Sequence, residues 1–357
     1  MHRWDKMARS IRPITTALKA LDLRSLFRCT CQNKHLSQES LAKGQSSSAD
    51  FTRNGVTSTR QFEEISIPVP WGHLAGKYYG PKGVRPIIGL HGWQDNAGTY
   101  DTLAPLLPHD VGFLSLDLPG HGRSSWLPLG INYHSIDYVT LLLRIMDVFK
   151  WDKISMICHS MSSINGFVFS ALFPEKVDMM IGLDNLKPLI RSSDQLLNIY
   201  AKCIENVIMY EKRTMDSDPP CYDWDQLVQR LHHGTNKSVN LEKCKFLLNR
   251  AIQPSQHEPH KYYFSRDNRL KQNFFLNFGE EVPLDMARRI RSPYLFIKAL
   301  NASYYESRKY FDEALKIMQE NPLFEYHEVK GSHHVHLNEP EKVAPIINSF
   351  IKKFRHA

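Results

Sequence analysis

From residue 62 onward, short apolar runs alternate with amphipathic segments. Residues 62–69 and 73–79 read as two strands joined at Pro70-Trp71-Gly72, a pattern that predicts an antiparallel hairpin. Residues 86–90 form a short apolar strand that ends in His91-Gly92-Trp93, and residues 100–107 predict a helix. Residues 112–116 are another apolar strand, running into a turn-rich stretch from Asp117 to Ser124. Across residues 136–149, Val139, Leu142, Leu143, Ile145, Met146 and Phe149 recur with a helical period. A strand at 154–157, a turn carrying Ser160, a helix from Met161 and a strand at 179–183 ending at Asp184 follow.

The rhythm then stops. Residues 186–290 hold helical stretches at 196–212, 224–232 and 241–251, a Pro- and Asp-rich break at 216–220, and few candidate strands. Alternation resumes with a strand at 294–299, a helix at 306–320, a strand at 323–329, a His-rich loop and a last helix at 341–354. Alternating strands and helices predict an α/β fold with a mostly parallel sheet and helices on both faces. The expected division is a basic leader over 1–55, a core made of 56–185 and 291–357, and a helical cap over 186–290. The cap is inserted at the carboxyl end of a strand, where open α/β sheets place their sites.

Composition narrows the class. The chain has 357 residues, 42% hydrophobic and 23% charged, which suits one large globular domain with an insertion. No apolar run approaches about 18 residues, so no transmembrane helix is expected. The net charge of +8 is uneven: residues 1–60 hold eleven Lys and Arg against four acids, and residues 186–292 hold seventeen against thirteen. The basicity belongs mainly to the leader, so no nucleic-acid partner is expected. In that leader Ile11, Ile14, Leu18, Leu21 and Leu26 fall at roughly helical spacing among arginines. This predicts a mitochondrial transit peptide or a disordered basic tail with no address, with a cytoplasmic or peroxisomal location as the alternative to the mitochondrion. Six cysteines without a CxxC pair or disulfide-like spacing fit a reducing compartment.

Ser160 is the candidate nucleophile, in Cys158-His159-Ser160-Met161-Ser162. A sharp strand-to-helix turn presents a serine hydroxyl, and the positions two before and two after it must be small. Glycine is usual at both. Cys158 and Ser162 are expected to add crowding or strain of about 1 kcal/mol each. Asp184 and His333 also follow predicted strands, at the same sheet edge. His333, His334 and His336 compete as the base; three histidines also suggest a metal, but no carboxylate or cysteine at ligand spacing accompanies them, so none is expected.

The order Ser160, Asp184, His333, with His91-Gly92 after an early strand, resembles the α/β-hydrolase superfamily. Residues 90–107 are similar to the serine hydrolase-like, kraken-type subgroup. Residues 117–124 carry a turn that recurs through the superfamily, and residues 331–343 resemble its histidine loop. The resemblance runs from about residue 62 to the C-terminus. It implies an α/β-hydrolase fold with a mostly parallel eight-stranded sheet and a helical cap. It implies carboxylesterase-like cleavage of a small or medium acyl ester through an acyl-enzyme on Ser160, without a cofactor. Counting back seven residues from Pro340, as in the resembled pattern, gives His333 as general base. The usual acid position, after strand 294–299, holds Ala302, which cannot orient an imidazole. Some members supply the acid after the preceding strand; that implies Asp184, with Glu306 in reserve. The implied oxyanion donors are the backbone N–H groups of Trp93 and Met161. Relatives with dehalogenase or epoxide hydrolase activity carry Asp at the nucleophile position, so Ser160 implies acyl transfer. The two missing glycines and Ala302 support an alternative: a weak or inactive member that keeps the fold as a binding protein.

Overall fold

The computed structural model describes residues 60–355, apart from 217, 273, 275 and 276. The basic leader, and with it the transit-peptide reading, lies outside the described residues. Eight strands form one sheet: β1 (Phe62–Val69), β2 (Gly72–Tyr79), β3 (Ile87–Leu90), β4 (Phe113–Leu116), β5 (Ile154–His159), β6 (Val177–Leu183), β7 (Tyr294–Ala299) and β8 (Phe324–Val329). Their spatial order is β1-β2-β4-β3-β5-β6-β7-β8. β2 runs antiparallel to β1 and β4, and the remaining pairs are parallel.

Every residue of β3, β4, β5 and β7 is buried. Strands covered on both faces need mostly apolar side chains on both, which is why these read as nearly continuous apolar runs. Alternate residues feed two cores. Met156 and Cys158 face a core with α1 (Ser135–Phe149) and α2 (Met161–Leu172), while Ile157 and Met179 face one with Ile347 and Phe350 of the last helix, Ala344–Phe354.

The helix expected at 100–107 is instead two short 3₁₀ turns, Ala97–Tyr100 and Ala104–Leu106. Asn96 caps the first through Gly98 N, and Pro105, which has no N–H to continue a helical ladder, lies in the second.

Between β6 and β7 lie α3 (Ser193–Asp216), α4 (Trp224–Gly234), α5 (Cys244–Ala251) and α6 (Glu281–Arg289). α4 and α5 share a small core of Leu227, Val239, Leu247 and Leu248, closed by Leu337. α6 differs: its Leu284 and Ala287 join the α1–α2 core. Arg250 of α5 is buried and donates to both carboxylate oxygens of Asp117, from Nε to Oδ1 at 3.2 Å and from Nη2 to Oδ2 at 2.7 Å. Asp117 follows β4 and also accepts from Ala97 N at 2.8 Å and Arg123 N at 2.8 Å. A buried pair of this kind costs about 3–5 kcal/mol to break from one side, so it holds α5 against the end of the sheet. Among the described residues, no helix is long and apolar enough to cross a membrane.

Candidate active site

β5 ends at His159 and α2 begins at Met161, so Ser160 alone makes the turn. Its backbone, φ 54° and ψ −115°, lies where a side chain is strained by about 1–3 kcal/mol. The turn is pinned by Ser160 N donating to Leu183 O at 3.0 Å and Ile164 N donating to Ser160 O at 3.2 Å. The missing glycines are absorbed by packing. A Cβ on Gly166 would lie 3.3 Å from Cys158 Sγ and 2.3 Å from Met180 Cε, so the glycine at this point of α2 leaves room for both. Ser162 Oγ donates to His91 O at 2.5 Å. Burial pushes the Cys158 thiol well above its usual range, which leaves it unreactive.

His333 Nε2 lies 2.8 Å from Ser160 Oγ, and its Nδ1 is hydrogen-bonded to Asp184 Oδ2. Asp184 follows β6 with a positive φ of 71°. Its other oxygen, Oδ1, accepts from Lys298 Nζ at 2.5 Å and Ala299 N at 3.1 Å. Burial alone would raise the Asp184 carboxyl; His333 and Lys298 outweigh it, so the group sits below the ordinary carboxylate range and is ionised at neutral pH. Glu306 is not brought to this histidine. Its oxygens accept from Lys187 Nζ at 2.7 Å and 2.8 Å, and from Ile190 N at 2.9 Å. Ala302 lines the same cavity as Ser160.

Lys298 was not among the candidates from sequence. It is a buried lysine on β7, with the Tyr304 ring 4.6 Å from its Nζ. A lysine inside a strand covered on both faces has to find an anion, and that was the available signal.

Gly92 lets the loop after β3 approach the turn: a Cβ there would lie 3.1 Å from both Ser160 Cβ and His159 Nδ1. His91 anchors this loop. Its Nδ1 donates to Gly92 O at 2.7 Å, and its Nε2 accepts from Leu118 N at 3.0 Å. The main chain at Trp93 therefore runs beside the serine, and the Trp93 indole N–H donates to Leu270 O at 2.7 Å. Met161 is the first residue of α2, so its N–H is one of the donors that a helix leaves without an internal acceptor.

Beneath the serine the three histidines expected from sequence are joined by His159 and by a carboxylate, Asp95, which sequence spacing did not show because both are far away in the chain. His159 Nε2 donates to His333 O at 2.9 Å, and its ring centroid lies 4.6 Å, 4.7 Å and 4.3 Å from those of His333, His334 and His336. His334 Nε2 is 3.5 Å from Asp95 Oδ2. The ligand atoms of Asp95, His159 and His334 lie within 4.8 Å of one another, a looser triangle than the spacing of about 3.3 Å in a tetrahedral zinc shell.

Burial holds His159 and His336 well below the ordinary imidazole range, and lowers His334 as well. The unfolded chain then binds more protons than the folded one below about pH 6.5, so this contribution is complete above that pH and is lost as pH falls. The melting temperature is expected to drop between pH 7.5 and 5.0, by about 2–4 °C for each kcal/mol lost. A flat profile in thermal melts over that range would show that the cluster takes up protons without unfolding.

A cavity of about 920 Å³ opens over Ser160, with Trp93, Ile164, Leu189 and Tyr210 in its wall. The sequence model of the alpha/beta hydrolase fold matches residues 85–340. The chain belongs to the α/β-hydrolase family. A Drosophila melanogaster protein named "Probable serine hydrolase" is 36% identical over 296 residues, covering 82% of this chain and 88% of that protein. The Homo sapiens "Serine hydrolase-like protein 2" is 33% identical over 301 residues, 81% of this chain and 94% of its own length. Within the α/β-hydrolases, the chain thus groups with the serine hydrolase-like members. The crystal structure of a hypothetical protein from Pseudomonas aeruginosa PAO1 superposes with a TM-score of 0.70 at 25% identity, covering 82% of this chain and 99% of that one.

Proposed function

We propose that this protein is an active serine hydrolase that cleaves a small or medium acyl ester through an acyl-enzyme on Ser160. The observation that carries the reading is the continuous relay from Ser160 Oγ, 2.8 Å from His333 Nε2, to an ionised Asp184 on His333 Nδ1. His333 takes the serine proton as Oγ attacks the acyl carbonyl. Asp184 keeps the proton on Nδ1 and stabilises the imidazolium. The tetrahedral oxyanion faces the N–H groups of Met161 and Trp93. Collapse expels the alcohol, which receives the proton from His333 Nε2. Water, deprotonated by His333, then attacks the acyl-enzyme, releasing the acid and restoring Ser160. The part of the insertion before α6, which lines the cavity with Leu189, Ile199, Tyr210, Leu247 and Arg266, acts as a cap over it.

The binding-only alternative drew on the missing glycines and on Ala302. Gly166 and the Ser162–His91 hydrogen bond weigh against the first ground, and the Asp184–His333 contact against the second. A fluorophosphonate probe is expected to label the native protein, with the adduct on the Ser160 peptide by mass spectrometry. Native protein that takes no label overturns the reading.

A further inference from the structure

The cavity over Ser160 is lopsided in charge. Among the described residues, Arg191, Lys202, Lys237, Arg266 and Lys271 line it, and its one acidic residue is Asp95. Asp95 does not balance them, because it is buried and its carboxylate lies against His334. Arg191 and Arg266 are half-buried, and the three lysines are exposed at the rim. Elsewhere, buried basic residues are paired: Lys77 with Asp101, Lys187 with Glu306, Arg250 with Asp117, Arg269 with Asp267 and Lys298 with Asp184. Among the described residues, the half-buried cavity arginines have no carboxylate at ion-pair distance. Arg266 has the Phe264 ring 4.9 Å from its guanidinium carbon, and burial lowers its pKa with no acid acting against it. Lys271 is lowered by burial and then by the charges of Arg266 and Arg213. Arg191 Nε is buried without a hydrogen-bond partner. Desolvating a cation is unfavourable unless an anion arrives to pair with it.

We propose that Arg266 and Arg191, with Lys271 at the rim, form an anion subsite, so that the substrate of Ser160 carries a carboxylate or phosphate away from its scissile carbonyl. The word substrate rests on the hydrolase reading; anion binding at the subsite does not. A guanidinium fork suits either anion, and the rim lysines raise its local concentration.

Two nitrophenyl esters of equal chain length test this, the monoester of glutaric acid and the neutral valerate. At low salt the native protein is expected to favour the glutarate by roughly tenfold or more in kcat/KM, mainly through KM, with the preference shrinking as salt is added. Arg266→Gln brings the ratio close to one, and Arg266→Lys restores part of it. Arg191→Gln gives the same loss if Arg266→Gln melts too low to assay. A native ratio near one, or a preference that survives both glutamine variants, overturns the proposal. Calorimetry on Ser160→Ala, with glutarate and inorganic phosphate titrated separately, needs no catalysis and tells the two anions apart. Binding that depends on Arg266 in a protein that takes no fluorophosphonate sinks the hydrolase reading and keeps the subsite. Labelling without binding of either anion does the reverse.

Discussion

Ser160→Ala lowers kcat/KM for a chromogenic short-chain ester by about 10⁶-fold, the scale seen when a serine nucleophile is removed from a triad. No neighbour can stand in. Cys158 is fully buried with its thiol pushed up by burial, and Ser162 Oγ is engaged with His91 O. The residual rate, about 10³-fold or more over water, comes from binding and the oxyanion donors. Alanine inherits the same left-handed turn at φ 54°, so the fold carries the same backbone strain as before. Circular dichroism and melting temperature check that point, and ester turnover checks the rate. A variant that keeps more than about a hundredth of the native rate would place the nucleophile elsewhere.

Asp184→Asn is expected to cost about 10⁴-fold in kcat and, by leaving the buried Lys298 without its anion, to lower the melting temperature as well. The reason lies on the far side of the carboxylate. Lys298 Nζ and Ala299 N both donate to Oδ1, so the amide oxygen of an asparagine has to take that side. Its NH₂ then faces His333 Nδ1 and donates to it. That forces the proton onto Nε2, and a protonated Nε2 cannot accept from Ser160 Oγ. The Ser160→Ala/Asp184→Asn double variant should be no slower than Ser160→Ala, because the residues act as one unit. Glu306→Gln is the contrast: with its carboxylate on Lys187, it should lower the melting temperature and leave the pH dependence of kcat in place. A small kcat effect at Asp184 together with a large one at Glu306 would reverse the assignment of the acid.

Much of this was legible in the sequence because strands buried on both faces write themselves as apolar runs, and the site residues follow directly after them. Ser160 was marked by its turn after β5; Asp184 and His333 also follow strands, but choosing Asp184 over Glu306 and His333 over His334 and His336 took the family resemblance. What stayed hidden depends on contacts between distant segments. Lys298 looked like an ordinary charged residue until its strand was known to be covered on both sides. Gly166 gave no hint that it makes room for Cys158, since a helical glycine carries no pattern of its own. His159 reads as filler between Cys158 and Ser160, yet it holds the carbonyl of His333 from below. The 100–107 segment failed for a local reason: its apolar spacing suits a helix, but Pro105 breaks the ladder.

Because Asp184 follows β6 rather than β7, Ser160 and its acid belong to one contiguous β5–α2–β6 unit. His333 alone comes from far away, 149 residues after Asp184 and 173 after Ser160. In a chain made from the N-terminus, the first two partners can pair as neighbouring parallel strands long before the third exists. Closing the loop to His333 is a late, long-range event whose entropy grows slowly with loop length. On the proposed function, a nascent chain that has not yet reached His333 would therefore carry the Ser160 turn without its base.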